Sequence, residues 1–330
     1  MKLVVMIPAY NEEETITDVI LEIPRQIDGM DKVEILLIDD GSSDDTVALA
    51  KKAGVDKTIS HGTNQGLGIA FRNGIETAIS MGADVIVTMD ADGQFDSNDV
   101  PSLVEPILNN EADFVAASRF LDKQSWAQMP WIKRLGNRIF TRIISYLLGQ
   151  KFSDTQCGFR AYSRQAALRL NTFGRFTYTQ EVFIDLVNKG MRVQEIAVQV
   201  EQRQKGKSRI VKNWFNYGTK AMAIILRSFR DYQPLRFFGT IGLITLIPGI
   251  GAGLFILIYW VITSRTSPFT SLLYLVVILV VMGLLFIVLA LIADMIGRQR
   301  HINEEILYHL KLRQYEADGD STLINEDLPK

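Results

Sequence analysis

The sequence predicts an α/β domain built on an open parallel sheet, followed by a two-helix transmembrane hairpin toward the carboxyl end. Short runs that are apolar at nearly every position alternate with stretches whose apolar residues recur at helical spacing. Acid-rich loops follow several of those runs, and two long stretches late in the chain carry no charge.

The first run, LVVMI from Leu3 to Ile7, is too short and too quickly followed by acidic residues to be a signal peptide, and it reads as a strand. Glu13 to Ile23 then has helical spacing, EILLID from Glu34 to Asp39 reads as the second strand, and Asp45 to Ala53 returns to helix. Ile69 to Met81 is a longer helix, DVIVTMD from Asp84 to Asp90 a strand, Ser97 to Asn109 a helix and DFVAAS from Asp113 to Ser118 a strand. Strands this uniformly apolar belong in the middle of a sheet covered on both faces. Ser, Asp or Asn at several helix starts supplies the oxygen that accepts from the first free backbone N–H groups.

Beyond these elements, WIKRLGNRIFTRIISYLLG from Trp131 to Gly149 sets Lys133, Arg134, Arg138 and Arg142 among bulky apolar residues. Such a helix either rests in the headgroup region of a membrane or is an ordinary surface helix of the domain. Asn213 to Tyr232 is the stronger interfacial candidate, because it leads straight into the first uncharged stretch. Gly66 and Gly68 in NQGLG lack the third glycine and the following acid of a dinucleotide fingerprint, so they mark a tight turn rather than a nicotinamide site.

No Asp, Glu, Lys, Arg or His occurs from Phe237 to Ser264 or from Thr266 to Ala293. A bilayer core needs roughly 20 helical residues, so each stretch can cross; the alternative is two buried helices of a soluble core. Only TSRTSP separates them, which makes a hairpin the simplest arrangement. Arg227, Arg230 and Arg236 precede the first stretch and Arg298 and Arg300 follow the second, against Arg265 alone in the link. The positive-inside rule then places the large domain in the cytoplasm of a multi-pass protein of the cell membrane. The expected division is a large cytoplasmic α/β domain over 1–210, an interfacial helix region over 211–234, two membrane helices over 235–293 and a cytoplasmic tail over 294–330 that is loose from about Glu316.

Composition excludes several classes. Lys and Arg total 35 against 37 Asp and Glu, a balance with no global field for nucleic acid. The single cysteine, Cys157, cannot close an internal disulfide and reads as a small buried thiol. His61, His301 and His309 have no ligand spacing with one another or with Cys157, so no zinc site is expected.

In an open parallel sheet, ligands bind where loops leave the carboxyl ends of the strands. PAYNE (Pro8 to Glu12), DDGSSDDT (Asp39 to Thr46) and DADGQ (Asp90 to Gln94) all occupy such positions and should line one crevice. Two carboxylates one residue apart, Asp90 and Asp92, suit a divalent cation that takes its other oxygens from water and substrate phosphates. Such an ion would offset charge on a departing diphosphate.

Taken with QKGKSR near Arg209, these motifs resemble family 2 glycosyltransferases of the GT-A fold. Within that family the chain most resembles polyprenyl-phosphate glycosyltransferases of the dolichol-phosphate mannose synthase type; the likeness covers the whole soluble part, including FSDTQCGFRAYSR from Phe152 to Arg164. The resemblance implies a nucleoside held by Pro8, Tyr10, Glu12, Ile38 and Asp40, with Tyr10 over the base and Asp40 accepting from a base N–H. It puts Asp90 beside the ribose or sugar, counts Ala91 among the nucleotide-binding residues and makes Asp92 and Gln94 ligands of Mg²⁺ or Mn²⁺. Asp39 either joins the nucleoside site or caps a turn. The implied reaction is inverting transfer of a sugar, mannose or glucose first, from a GDP- or UDP-sugar to a polyprenyl phosphate.

A lipid phosphate is already anionic near neutral pH and needs no general base, so arginines matter most. Arg119, Arg134 and Arg209 are the candidates for neutralising the two phosphate-bearing substrates. A hydroxyl acceptor would instead require an acid, Glu181 or Asp185, and a non-catalytic membrane scaffold retaining the fold is the remaining alternative. The expected partners are a nucleotide-sugar, a polyprenyl phosphate and membrane lipid, with a homo-oligomer left open.

Overall fold

The apolar run after Met1 becomes an interior strand of the sheet. In the computed structural model, which describes residues 1–121, 131–172, 174, 178–200 and 214–326, β1 (Lys2–Ala9) is flanked by β2 (Lys32–Asp39) and β4 (Val85–Thr88) in parallel. Leu3 to Ile7 are all fully buried, so both faces of β1 are covered, as its unbroken apolar pattern requires. With β3 (Lys57–Ser60), β5 (Phe114–Ser118), β6 (Arg160–Ser163) and β7 (Val193–Ala197), the seven strands stand in the order β3-β2-β1-β4-β6-β5-β7.

The expectation of a parallel sheet needs one correction. β6 runs antiparallel to both β4 and β5, so the sheet is mixed. The reversal matters for the site, because it brings the start of β6 alongside the end of β4, in the register Thr88↔Arg160.

Helices α1 (Ile16–Glu22), α2 (Thr46–Lys52), α3 (Leu67–Ser80) and α4 (Val100–Leu108) form where helical spacing predicts them. α5 (Trp131–Leu148) buries Asn137, Phe140, Thr141 and Ile144 while exposing Trp131, Leu135, Ile139, Arg138 and Arg142. It is thus packed on the domain and amphipathic outward at once. α6 (Arg164–Arg169) and α7 (Thr179–Asn188) complete the globular part.

α8 (Trp214–Tyr232), α9 (Pro234–Thr263) and α10 (Thr270–Glu326) follow. The chain divides into two units, Met1–Ile225 with Leu307–Lys330 and, separately, Leu226–Ile306. α10 continues to Glu326, past Glu316, from where a loose segment was expected. Within the catalytic unit, Arg169 lies over the Tyr308 ring at 4.1 Å, and Lys311 Nζ donates to the Leu170 carbonyl at 3.3 Å and to Asn171 Oδ1 at 3.2 Å.

α9 and α10 are long and apolar enough to be candidate membrane spans. Only 17% and 11% of their most apolar windows are buried, which is not how core helices of a soluble domain behave. Small residues set their spacing: a Cβ on Gly249 would lie 2.9 Å from Leu279 Cβ, and one on Gly283 would lie 2.7 Å from Leu246 Cβ. That close backbone approach is typical of packing between membrane helices.

Candidate active site

The three acid-bearing loops meet as their strand positions predict, and short hydrogen bonds tie them together. Asn11, at φ 52°, turns the chain back after β1, a conformation asparagine tolerates better than most residues. Its backbone N–H donates to Ser42 Oγ at 2.8 Å, and its Oδ1 accepts from the Ser43 N–H at 2.7 Å. Glu12 N–H donates to Thr46 Oγ1 at 2.8 Å, and Thr15 Oγ1 donates to the Ala91 carbonyl at 2.7 Å. The first loop is thereby stitched to both of the others. Gly41, at φ 82°, leaves room for the neighbouring loop, since a Cβ there would lie 2.7 Å from the Thr63 carbonyl carbon.

Pro8 and Ile38 lie opposite each other in β1 and β2 with their side chains in the core, so only their backbone can meet a nucleoside. Tyr10, directly after the end of β1, is exposed. Asp39 accepts from the Ser42 N–H at 2.9 Å, the turn-capping alternative. Asp40, buried, takes hydrogen bonds from the backbone N–H of Gln65 at 2.9 Å and of Gly66 at 2.8 Å and pairs with His61 Nδ1 at 2.8 Å.

At the end of β4, burial first and the charge of Asp92 second push the Asp90 carboxyl up to about 7, against the pull of Arg119 and Arg160. Glu12 adds to the upward push. Gln94 N–H donates to Asp92 Oδ1 at 3.2 Å. Among the described residues no three His, Cys, Asp or Glu side chains converge, and the acids at hand for a divalent cation here are Asp90 and Asp92. Hard oxygens too few to complete a shell fit Mg²⁺ or Mn²⁺ shared with phosphates and water. The mutual repulsion of Asp90 and Asp92 points the same way, because a cation relieves it.

Arg119, just past β5, grips Asp154 with both ends of its guanidinium, Nε to Oδ2 at 2.7 Å and Nη2 to Oδ1 at 3.1 Å. Burial would raise the Asp154 carboxyl, but the charge and hydrogen bonds of Arg119, with Asn137 and the Gln156 N–H, hold it below the usual range. Two of the five guanidinium donors are used in this pair, leaving others for a phosphate. Arg134 lies three residues before Asn137 and seven before Thr141, the spacing of one helix face, and Asn137 Nδ2 donates to Asp154 Oδ1 at 2.9 Å. Arg134 and Arg119 are thus carried by elements that meet at Asp154. Arg209 and the QKGKSR motif lie outside the described residues.

Two further residues were not singled out from sequence. Gly158 packs against Asp90 so closely that a Cβ would lie 3.0 Å from its Oδ2. Arg160, fully buried, donates from Nε to the Cys157 carbonyl at 2.7 Å and from Nη2 to the Thr155 carbonyl at 3.1 Å, and its guanidinium stands over the Phe183 ring at 5.0 Å. Both belong to FSDTQCGFRAYSR, so the motif carried the signal although the individual roles did not show. Cys157 is buried, and burial pushes its thiol up to about 12. Glu181 accepts from the Gly174 N–H at 3.0 Å, whereas Asp185 is buried against Lys189 at 2.8 Å.

Residues 4–170, half of the chain, match the profile of glycosyl transferase family 2. The chain belongs to that family. This family 2 glycosyltransferase is similar to the glycosyltransferase AglJ of Haloferax volcanii, at 30% identity over 79% of this chain and 82% of the relative. It is also similar to the UDP-N-acetylglucosamine–dolichyl-phosphate N-acetylglucosaminyltransferase of Methanococcus voltae, at 33% identity over 49% of this chain and 69% of that one. Among solved structures, glucosyl-3-phosphoglycerate synthase from Mycobacterium tuberculosis, in complex with Mn²⁺, UDP and glucosyl-3-phosphoglycerate, aligns with TM-score 0.56 at 22% identity, covering 69% of this chain and 79% of that one. That likeness bears out the GT-A-like α/β fold.

Proposed function

We propose that this glycosyltransferase moves a sugar from a nucleotide diphosphate donor to a polyprenyl phosphate at the cytoplasmic face of the cell membrane. The observation that carries the reading is the arrangement at the end of β4, where the buried Asp90 carboxyl feels both the charge of Asp92 and the opposing charges of Arg119 and Arg160. The names of the relatives that act on dolichyl phosphate support the acceptor.

Asp40 would receive the donor base with Tyr10 over it, Pro8, Ile38 and Ala91 contributing backbone and Glu12 tying the first loop to the second. Asp92 and Gln94 would hold Mg²⁺ or Mn²⁺, which supplies charge neutralisation at the diphosphate when bound. Arg119, with Arg134 and Arg209, would offset the negative charge of the lipid phosphate as its oxygen forms the new bond to the anomeric carbon. The bond from that carbon to the diphosphate breaks on the opposite side, the electron pair leaves with the diphosphate, and the configuration inverts. No proton needs removal from an ionised phosphate, so no side chain is required as base.

Asp185 is committed to its buried pair with Lys189. A hydroxyl-acceptor enzyme would have to rely on Glu181 instead. The exposed face of α5 and the apolar helices α9 and α10 support membrane placement of the acceptor.

The test is to incubate the reconstituted full-length protein with polyprenyl phosphate and a panel of nucleotide-sugars and to identify the lipid product by mass. Sugar phosphoryl polyprenol is expected, its formation stopped by chelator and slowed at least about a hundredfold by Asp92→Asn. Full turnover in excess chelator would remove the metal from the mechanism, and a product glycosylated on a hydroxyl would transfer the assignment to the Glu181 reading.

A further inference from the structure

The hydrogen bonds already made by Asp40 restrict which base it can hold. A carboxylate has about four acceptor directions, two on each oxygen. Oδ1 meets His61 Nδ1 at 2.8 Å and accepts from the Gln65 backbone N–H at 2.9 Å, and Oδ2 accepts from the Gly66 backbone N–H at 2.8 Å. The tautomer of His61 follows from its other nitrogen. Nε2 faces the amide Nδ2 of Asn73, a donor, at 3.0 Å, so Nε2 accepts and Nδ1 carries the proton given to Asp40.

This arrangement is fixed from several sides. The His61 side chain is 6% exposed, its backbone N–H donates to the Asp39 carbonyl at 2.9 Å, and Asn73 belongs to α3, which begins directly after Gly66. Both directions on Oδ1 are therefore filled, and one remains on Oδ2.

Uracil presents a single ring N–H between two carbonyls and needs one acceptor. Guanine presents two adjacent donors, N1–H and the exocyclic amine, which pair with a carboxylate by placing one on each oxygen. We propose that Asp40, left with one acceptor direction by His61, Gln65 and Gly66, selects a uridine diphosphate sugar over a guanosine diphosphate sugar. The proposal rests on the reading above that Asp40 receives the donor base. His61 is then a specificity-determining residue that acts through Asp40 without touching the donor.

A guanine in this position would hold one donor against a saturated oxygen. An unpaired donor in a desolvated site weakens binding by about tenfold or more.

Calorimetric titration of the full-length protein in detergent with Mn²⁺, using UDP and GDP as probes, tests the idea. UDP should bind at least about tenfold more tightly. His61→Phe removes the Nδ1 donor and opens a direction on Oδ1, so the ratio should fall toward one. His61→Asn, whose amide N–H reaches about where Nδ1 stood, should retain it. GDP binding as tightly as UDP to the unaltered protein overturns the proposal, and so does an undiminished UDP preference in a folded His61→Phe variant. If that variant does not fold, the ratio measured on the unaltered protein decides alone. Asp40→Asn that leaves both affinities unchanged would instead show that the base lies elsewhere. The placement of the base then fails together with the selectivity drawn from it, whereas a GDP preference lost in Asp40→Asn overturns the selectivity only.

Discussion

Gly158 has its carbonyl bonded to Thr88 Oγ1 at 2.7 Å and its Cα against the Asp90 carboxylate, so neither side can give way without moving a buried neighbour. A methyl group there would press on Asp90 from 3.0 Å, inside ordinary van der Waals contact. Gly158→Ala should therefore displace the carboxylate from its partner Asp92 and lower kcat by roughly tenfold to a hundredfold, the scale of a small misplacement in a catalytic group. Thermal unfolding should change by only a few degrees, because one overpacked methyl typically costs about 1–3 kcal/mol. A variant that melts far below the parent while keeping its kcat would mean that the fold, not the site, absorbs the strain. Sequence reading reached Asp90 and Asp92 from their own spacing, because acids at a strand end are visible locally. It could not reach Gly158 or Arg160, whose roles exist only once β6 lies antiparallel beside β4.

At the level of elements, legibility followed apolar continuity. β1, β2, β4 and β5 are buried on both faces and announce themselves as unbroken apolar runs. β3, β6 and β7 have the sequences KTIS, RAYS and VQEIA, short and half polar, and were not distinguishable from loops. Missing β6 hid the reversal of the sheet and with it the contact of Arg160 with the loop over Thr155 and Cys157. The carboxyl-terminal part of α10 makes contacts that its polar composition did not announce, since Tyr308 and Lys311 contact α6 and the residues after it. This segment should then stabilise the catalytic unit. Tyr308→Ala combined with Lys311→Ala is expected to remove about 1–3 kcal/mol, read as a lower midpoint in thermal unfolding of the full-length protein. An unchanged midpoint would mean that these contacts contribute nothing to the fold.

For the whole molecule, sidedness is the property that the proposed reaction depends on most. Nucleotide-sugars are made and held in the cytosol, so a donor crevice on the other side of the membrane would have no supply. Arg227, Arg230 and Arg236 stand before α9 and Arg298 and Arg300 stand after the uncharged part of α10, while the link between the helices carries Arg265 alone. Each cationic side chain left on the cytoplasmic side avoids transfer across the bilayer, so by the positive-inside rule the bias of five arginines against one should orient the hairpin with its link outward. Because both ends of a two-span hairpin lie on one side, Met1 and the end of α10 should share the cytoplasm. Protease added to sealed cells should accordingly spare the residues before Phe237, and the same protease added after permeabilisation should digest them. A cysteine placed in the link, as Thr266→Cys, should react with an impermeant maleimide in intact cells, whereas the native Cys157, buried in the catalytic unit, should not. Digestion of the catalytic residues in intact cells, or labelling at the link only after permeabilisation, would reverse the orientation and leave the crevice without its donor.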